Sequence, residues 1–418
     1  MTEYDTLWTG AHIVTMRADQ PPFGNIGLGA IAARNGLIAW IGSCADLPGD
    51  PHALAAEVID VRGRLIAPGF VDPHTHVVFG GDRIADFERR NAGEGYVAVA
   101  GSGSGIAHTV AMTRAASEDA LLAAALQRVR RLVASGTTTL EIKSGYGLDV
   151  ETELRLLRVA RRVGDAARVS VRTTYLGAHV VPPEYRERRE AYVDLICDDM
   201  IPRIARERLA DAVDVFCDEI AFTPAEASRV FSAAQRAGLP VKAHADQLAD
   251  TGAAALAARY GAVSADHLEH ASEAGIAALA RAGTVAVVLP GAYYYLHETV
   301  RPPLARLRAH GVPIALGTDC NPGTSPIMAM TAVLNLACVL FGMSPAEALA
   351  GATRHAARAL GFTDRGELRA GARCDLAIWD AETPAELAYW LAMPECASVV
   401  VAGRRVAGTA TFDRPAAD

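Results

Sequence analysis

Asp72-Pro73-His74-Thr75-His76 closes an apolar run, Leu65-Ile66-Ala67-Pro68-Gly69-Phe70-Val71, that reads as a buried strand. Side chains alternate along extended backbone, so histidines at i and i+2 point the same way. Two converging imidazoles are half of a metal site, although an isolated pair of this kind is better explained by chance near a turn. Further histidines and a carboxylate follow apolar runs in the same manner. His179 comes after Val169–Tyr175, His244 ends Val241-Lys242-Ala243-His244, His267 follows Ala265-Asp266, and Asp319 ends Leu316-Gly317-Thr318-Asp319. Each one alone reads as a hydrogen-bonded core residue. If the runs are strands of one barrel, all of them lie on a single rim, which packing alone does not explain. His74, His76, His244 and Asp319 form the expected ligand set. Three imidazoles and a carboxylate, with one position left for water, describe a catalytic metal centre. Nitrogen and oxygen ligands suit zinc or iron alike. His267 could be a fifth ligand but is expected to face the substrate. The fourth strand ends Phe216-Cys217-Asp218 without a lysine, and Lys143 ends the second strand, so a modified lysine bridging two metals has no source there. One ion per chain is expected.

The elements that must position these residues are legible in the alternation of apolar runs and amphipathic stretches from Gly63 to about Leu360. The strand candidates are Leu65–Val71, Thr137–Ile142, Val169–Tyr175, Val213–Cys217, Leu239–Ala243, Val263–Asp266, Val285–Leu289 and Pro313–Leu316. Eight strands in βα alternation predict a (β/α)8 TIM-type barrel, whose sites are built at the C-terminal strand ends. Thr223-Pro224-Ala225-Glu226 and Ser344-Pro345-Ala346-Glu347 carry capping-box chemistry with proline at the first helical position, and Ser117 can cap the helix through Leu121 and Leu132. Both chain ends read instead as short β pieces, with Asn35-Gly36 as a tight hairpin turn. The expected division is 1–66 and 363–418 forming one small discontinuous β-sandwich, and 67–362 forming the barrel. The Gly-rich stretch from Gly93 to Gly105 lacks a P-loop pattern and is expected to be a lid over the barrel mouth. Tyr293-Tyr294-Tyr295 is expected to pack at the rim.

The chain has 418 residues, 51% of them hydrophobic and 21% charged, with a net charge of −8. Such a chain can bury a large core. No block of lysine and arginine invites nucleic acid or a membrane surface, so a small molecule is the expected partner. Seven cysteines, odd in number and without a Cys-x-x-Cys pair, suit reduced thiols in a cytoplasmic protein. The N-terminus has no basic-then-apolar leader pattern, and no apolar run approaches about twenty residues.

Pro68-Gly69-Phe70-Val71-Asp72-Pro73-His74-Thr75-His76, the histidines of the fifth and sixth strands and the aspartate of the eighth resemble the amidohydrolase superfamily. The stretches Thr75-His76-Val77-Val78-Phe79-Gly80-Gly81-Asp82-Arg83, Glu141–Leu148, Thr173–His179 and Gly317–Thr324 resemble, more narrowly, the imidazolonepropionase family of histidine degradation. The likeness covers nearly the whole chain. It implies hydrolysis of 4-imidazolone-5-propanoate to N-formimidoyl-L-glutamate. By the same likeness Arg83, Tyr146, His179, Gln247 and Thr324 would contact substrate, and Tyr146, Asn321 and Gly323 product. Some members carry glutamate where this chain has Gln247, so no carboxylate base is expected at that position. Physical chemistry runs in the same direction. A propanoate calls for a fixed cation, and the planar fork of Arg83 suits a carboxylate. Tyr96 and Tyr146 add hydroxyl donors. Asp319 is the expected proton carrier, and His267 the expected donor to the developing oxyanion. Two other readings stay open on the residues: a deaminase of cyclic amidines or purines using the same ligands, and a non-catalytic barrel scaffold. A homodimer is expected only by analogy with barrel enzymes generally.

Overall fold

The computed structural model describes residues 2–94, 105–391 and 396–408. Near the N-terminus, β1 (Tyr4–Val14), β2 (Asn25–Arg34) and β3 (Leu37–Ser43) form an antiparallel meander. The β2–β3 turn forms at Asn35 and Gly36 because both adopt positive φ, 53° and 79°, the conformation a two-residue hairpin demands. The other edge of β1 has two successive parallel partners. Its first half pairs with β4 (Ala55–Asp60), and His12 and Ile13 pair with β5 (Leu65–Pro68).

The apolar run Leu65–Val71 therefore serves two sheets, where the sequence suggests a single strand. It breaks at Gly69, where a Cβ would stand 2.2 Å from the Thr138 methyl. Beyond the break, β6 (Phe70–Asp72) opens the barrel sheet. The barrel continues through β7 (Thr137–Lys143), β8 (Ser170–Ala178), β9 (Ala212–Cys217), β10 (Val241–Ala245), β11 (Ser264–His267), β12 (Val285–Val288) and β13 (Ile314–Leu316), in that spatial order. Neighbours pair in parallel, as in β9–β10 and β10–β11. A parallel bridge from Thr75 to Cys320 closes the ring. Each expected barrel strand is present. Of the two expected capping boxes, that of Thr223 and Glu226 forms reciprocally, and at the other the Ser344 side chain accepts from the Glu347 amide.

The C-terminal strands β14 (Leu376–Trp379), β15 (Ser398–Val401) and β16 (Arg404–Ala407) return to the first sheet, where β14 pairs antiparallel with β5. That sheet runs β16-β15-β14-β5-β1-β2-β3. Its two leaves fold over one core: Trp8, Ile31 and Ile38 from one leaf bury against Ile66, Leu376, Ile378 and Val400 of the other. Both chain ends thus build one β domain, since neither end alone supplies two apolar faces to cover each other.

By internal contacts the chain divides into two compact units. One comprises Met1–Asp72, Arg130–Thr139 and Ala329–Asp418, and the other Pro73–Val129 and Leu140–Met328. All seven cysteines are free thiols. Among the described residues no helix is long and apolar enough to cross a membrane.

Candidate metal centre and substrate pocket

The segment after β6 stays extended because it is bonded on both sides. Thr75 O accepts from the Lys143 amide and Thr75 Oγ1 donates to Glu141 O, while the His76 amide donates to Cys320 O and the Asp319 amide to His74 O. This pairing turns Thr75 aside and leaves His74 and His76 on one face. His74 Nε2 and His76 Nε2 stand 3.2 Å apart, and Asp319 Oδ1 lies 3.5 Å from each. His244, the penultimate residue of β10, brings its ring 4.5 Å from that of His74 and 5.5 Å from that of His76, centroid to centroid. All four side chains are buried. His267 joins the cluster, its ring 5.4 Å from His244 and 5.6 Å from His74. His267 and Leu268 both have positive φ, 77° and 73°, a strained turn of the kind that recurs at functional sites.

Two nitrogens bound tetrahedrally about 2.1 Å from one ion stand about 3.4 Å apart, close to the 3.2 Å between His74 and His76. Four buried ring nitrogens, His76 Nδ1, both nitrogens of His244 and His267 Nδ1, have no hydrogen-bond partner among the described residues, and of these His244 Nε2, on the ring edge away from Asp214, is the one placed to ligate beside His74 Nε2 and His76 Nε2. Orphaned buried nitrogens are costly unless something else satisfies them. Ligating atoms of His74, His76 and His244 lie within 4.8 Å of one another. Burial holds His74, His76 and His267 well below the ordinary imidazole pKa, in the neutral state that ligates. The cluster can hold a metal ion. Asp319 is pushed up to about 7, because burial opposes its charge more than His244 favours it.

Beneath the histidines lies a charged layer that the sequence reading did not assemble. His74 Nδ1 is 2.6 Å from Asp266 Oδ2, and His244 Nδ1 is 3.0 Å from Asp214 Oδ2, off the line of a straight hydrogen bond. Lys143 Nζ lies 2.6 Å from Asp214 Oδ2, 2.8 Å from Glu141 Oε2 and 3.7 Å from Asp266 Oδ2. Lys242 Nζ bonds Glu141 Oε1 at 2.8 Å and Pro73 O at 2.9 Å. Burial opposes ionisation of Asp214, but His244 and Lys143 outweigh it and hold the carboxyl well below its usual range. At Asp266 burial prevails and the pKa rises. A signal for this layer was present: Glu141 with Lys143, and Lys242 with His244, sit two apart in apolar strands and so face the barrel interior.

One cavity above the cluster is lined by His76, Arg83, Tyr146, His179, His244, Gln247, His267, Asp319, Asn321, Gly323 and Thr324. It brings together every expected site residue except His74, which is fully buried, and Tyr96, which lies outside the described residues, as does most of the expected lid at Gly93–Gly105. Arg83 is no solvated surface side chain. It donates from Nε to Thr109 Oγ1 at 2.6 Å and from Nη1 to Asp86 Oδ2 at 3.2 Å, with its side chain largely buried. His179 has Nδ1 3.0 Å from Gly145 O and stacks on His76 at 5.6 Å. Burial, then His244, lowers its pKa to about 4, so its neutral ring presents Nε2 to the cavity. Tyr146 packs beside both rings. The Asn321 side chain organises its own loop, donating to Asp319 O and accepting from the Gly323 and Thr324 amides. The Gln247 backbone N–H donates to Asp218 Oδ2. Tyr295 stacks on Phe87 and under Arg90, in keeping with rim packing.

A model of the amidohydrolase family matches residues 65–406. The chain is 54% identical over 401 residues to an imidazolonepropionase of Ralstonia nicotianae, covering 96% of this chain and 98% of the relative. It is 56% identical over 386 residues to an imidazolonepropionase of Caulobacter vibrioides, covering 92% and 96%. Among solved structures, a 5-methylcytosine deaminase from Klebsiella pneumoniae superposes with a TM-score of 0.75 at 17% identity, covering 98% of this chain and 99% of that one. A zinc-bound adenosine deaminase from Xanthomonas campestris superposes with a TM-score of 0.69 at 20% identity, covering 97% and 93%. These two establish the shared fold. With a family model over most of its length and relatives above half identity from end to end, the chain belongs to the imidazolonepropionase family of the amidohydrolase superfamily.

Proposed function

We propose that this protein hydrolyses 4-imidazolone-5-propanoate to N-formimidoyl-L-glutamate, the step of histidine degradation for which its relatives are named. The observation that carries the reading is one cavity in which a buried, doubly anchored Arg83 faces the His74, His76, His244 and Asp319 cluster. An arginine held this way is a carboxylate receptor. His179 and Tyr146 flank the cluster and would orient the imidazolone ring.

A single zinc or iron ion held by His74, His76, His244 and Asp319 would supply Lewis acidity and a hydroxide nucleophile at neutral pH. The chain's own groups carry the proton and the charge. The lactam carbonyl carbon gains the water oxygen, the C–N bond breaks, and the leaving nitrogen must take a proton. The Asp319 carboxylate, beside His74 and His76 at the mouth of the cavity, can accept the proton released by water and return it to that nitrogen. His267, neutral and at the cavity wall, donates a ring N–H to the oxygen that gains charge. Gln247 is an amide, so it can bind the ring but not act as a base. A cytoplasmic location and a homodimer go with this proposal as expectations.

The test is the absorbance of the imidazolone. The purified protein should consume it, lose the activity on chelation, and regain it when zinc or iron is restored. A deaminase would instead turn over guanine or cytosine and leave the imidazolone untouched, which would overturn the proposal.

A further inference from the structure

We propose that Lys143 is a positioning residue for the metal centre, its ammonium tying together the two aspartates that orient His74 and His244. The inference rests on the metal-dependent reading above. Its basis is a continuous path of buried contacts. His74 Nδ1 meets Asp266 Oδ2 at 2.6 Å, Asp266 Oδ2 lies 3.7 Å from Lys143 Nζ, Lys143 Nζ meets Asp214 Oδ2 at 2.6 Å, and Asp214 Oδ2 lies 3.0 Å from His244 Nδ1. The residues come from five different segments, and Lys143, Asp214 and Asp266 have no exposed side-chain surface.

The physical reason is a tautomer. An imidazole ligates through one nitrogen only if the proton stays on the other, and a carboxylate on the far side holds it there. Here one buried cation serves both carboxylates. The same arrangement accounts for a cluster that otherwise resembles a second cation site: ligating atoms of His74, Glu141 and Asp266 lie within 4.8 Å of one another. The two lysine ammoniums already stand among those carboxylates, each 2.8 Å from a Glu141 oxygen. Lys143, at the end of the second barrel strand, therefore supports the metal ligands from below rather than binding a metal itself.

Zinc affinity tests this, read by competition with a chromophoric chelator on metal-free protein. Lys143→Met should weaken zinc binding at least about tenfold, the usual cost of losing an outer-layer partner. Asp214→Asn should do likewise, and the double variant should bind no more weakly than the worse single one, because both break the same path. A merely structural lysine would lower the thermal midpoint of the metal-free protein and leave zinc affinity within about twofold of the parent; that result, or fully additive losses, would overturn the proposal. If Lys143→Met shows no cooperative unfolding, Lys143→Gln, which keeps a polar group at that place but removes the charge, decides in its place by the same tenfold and twofold criteria. A parent protein that takes up no zinc and no iron would overturn the metal-dependent reading itself, a different failure.

Discussion

Asp319 and Arg83 divide the work of the pocket, and substitution separates them. Asp319→Asn should lower kcat by about 10²–10⁴-fold, the usual worth of a positioned acid–base group; steady-state rates beside the metal content of the same sample check that the ion is retained. Arg83→Met should raise KM by roughly 30- to 100-fold with a smaller change in kcat, the equivalent of about 2–3 kcal/mol for a charge-assisted pair. Glu269 gives a signed dependence on pH. It is 5% exposed, its Oε2 has no partner among the described residues, and burial, then Glu298, pushes its pKa from 4.5 to about 8. Between those values the folded chain holds the extra proton, so its contribution to stability falls as pH rises and is fully lost above about 8. Glu269→Gln should therefore gain stability relative to the parent between about pH 5.5 and about pH 8.5, as read by chemical unfolding at both values. At this scale the ligands were legible because strand alternation alone places His74 beside His76. The layer beneath them was not, because Asp266 lies 192 residues from His74 and Lys143 lies 71 from Asp214. A lone charge in an apolar strand does not name its partner.

Individual elements carry their own signals, and two of them can be tested locally. Thr223 and Glu226 form a complete capping box. Thr223→Ala should cost about 1 kcal/mol and leave kcat unchanged, as thermal unfolding and steady-state kinetics would show. Gly145, between β7 and Tyr146, has φ 106°, and a Cβ there would stand 2.8 Å from Leu176 O and 3.1 Å from His179 Nδ1. Gly145→Ala should cost about 1–3 kcal/mol and, by displacing His179, also raise KM. The one element misread was Leu65–Val71. Its composition is that of a single buried strand, and nothing local shows that Gly69 hands the chain from one sheet to another. That break follows from the close approach of Thr138, which is set by the packing of β7 and not by the run itself.

For the molecule as a whole, the ion should matter to stability as well as to rate. A ligand that binds only the folded state stabilises by about 2.7 kcal/mol at a hundredfold excess over its dissociation constant. Stripping the protein with a chelator should lower the thermal midpoint and abolish turnover together, and restoring zinc or iron should recover both. An unchanged midpoint after verified removal would mean that the folded chain binds the ion no better than the unfolded chain does. The β domain belongs to this scale too. Residues 4–68 and 376–407 are far apart along the chain, yet Ile66, Ile378 and Val400 share one core.

The sequence by itself determined the alternation of strands and helices, the hairpin at Asn35-Gly36, the helix caps and the four candidate ligands, because each depends on spacing within a few residues. The family likeness is likewise written in short contiguous motifs. Only the tertiary structure decided that Arg83 is anchored by Thr109 and Asp86, that Asn321 braces its own loop, and that Lys143, Asp214 and Asp266 lie linked beneath the histidines. Those relations join residues whose separation in space is unrelated to their separation along the chain, so they exist only once the barrel has closed.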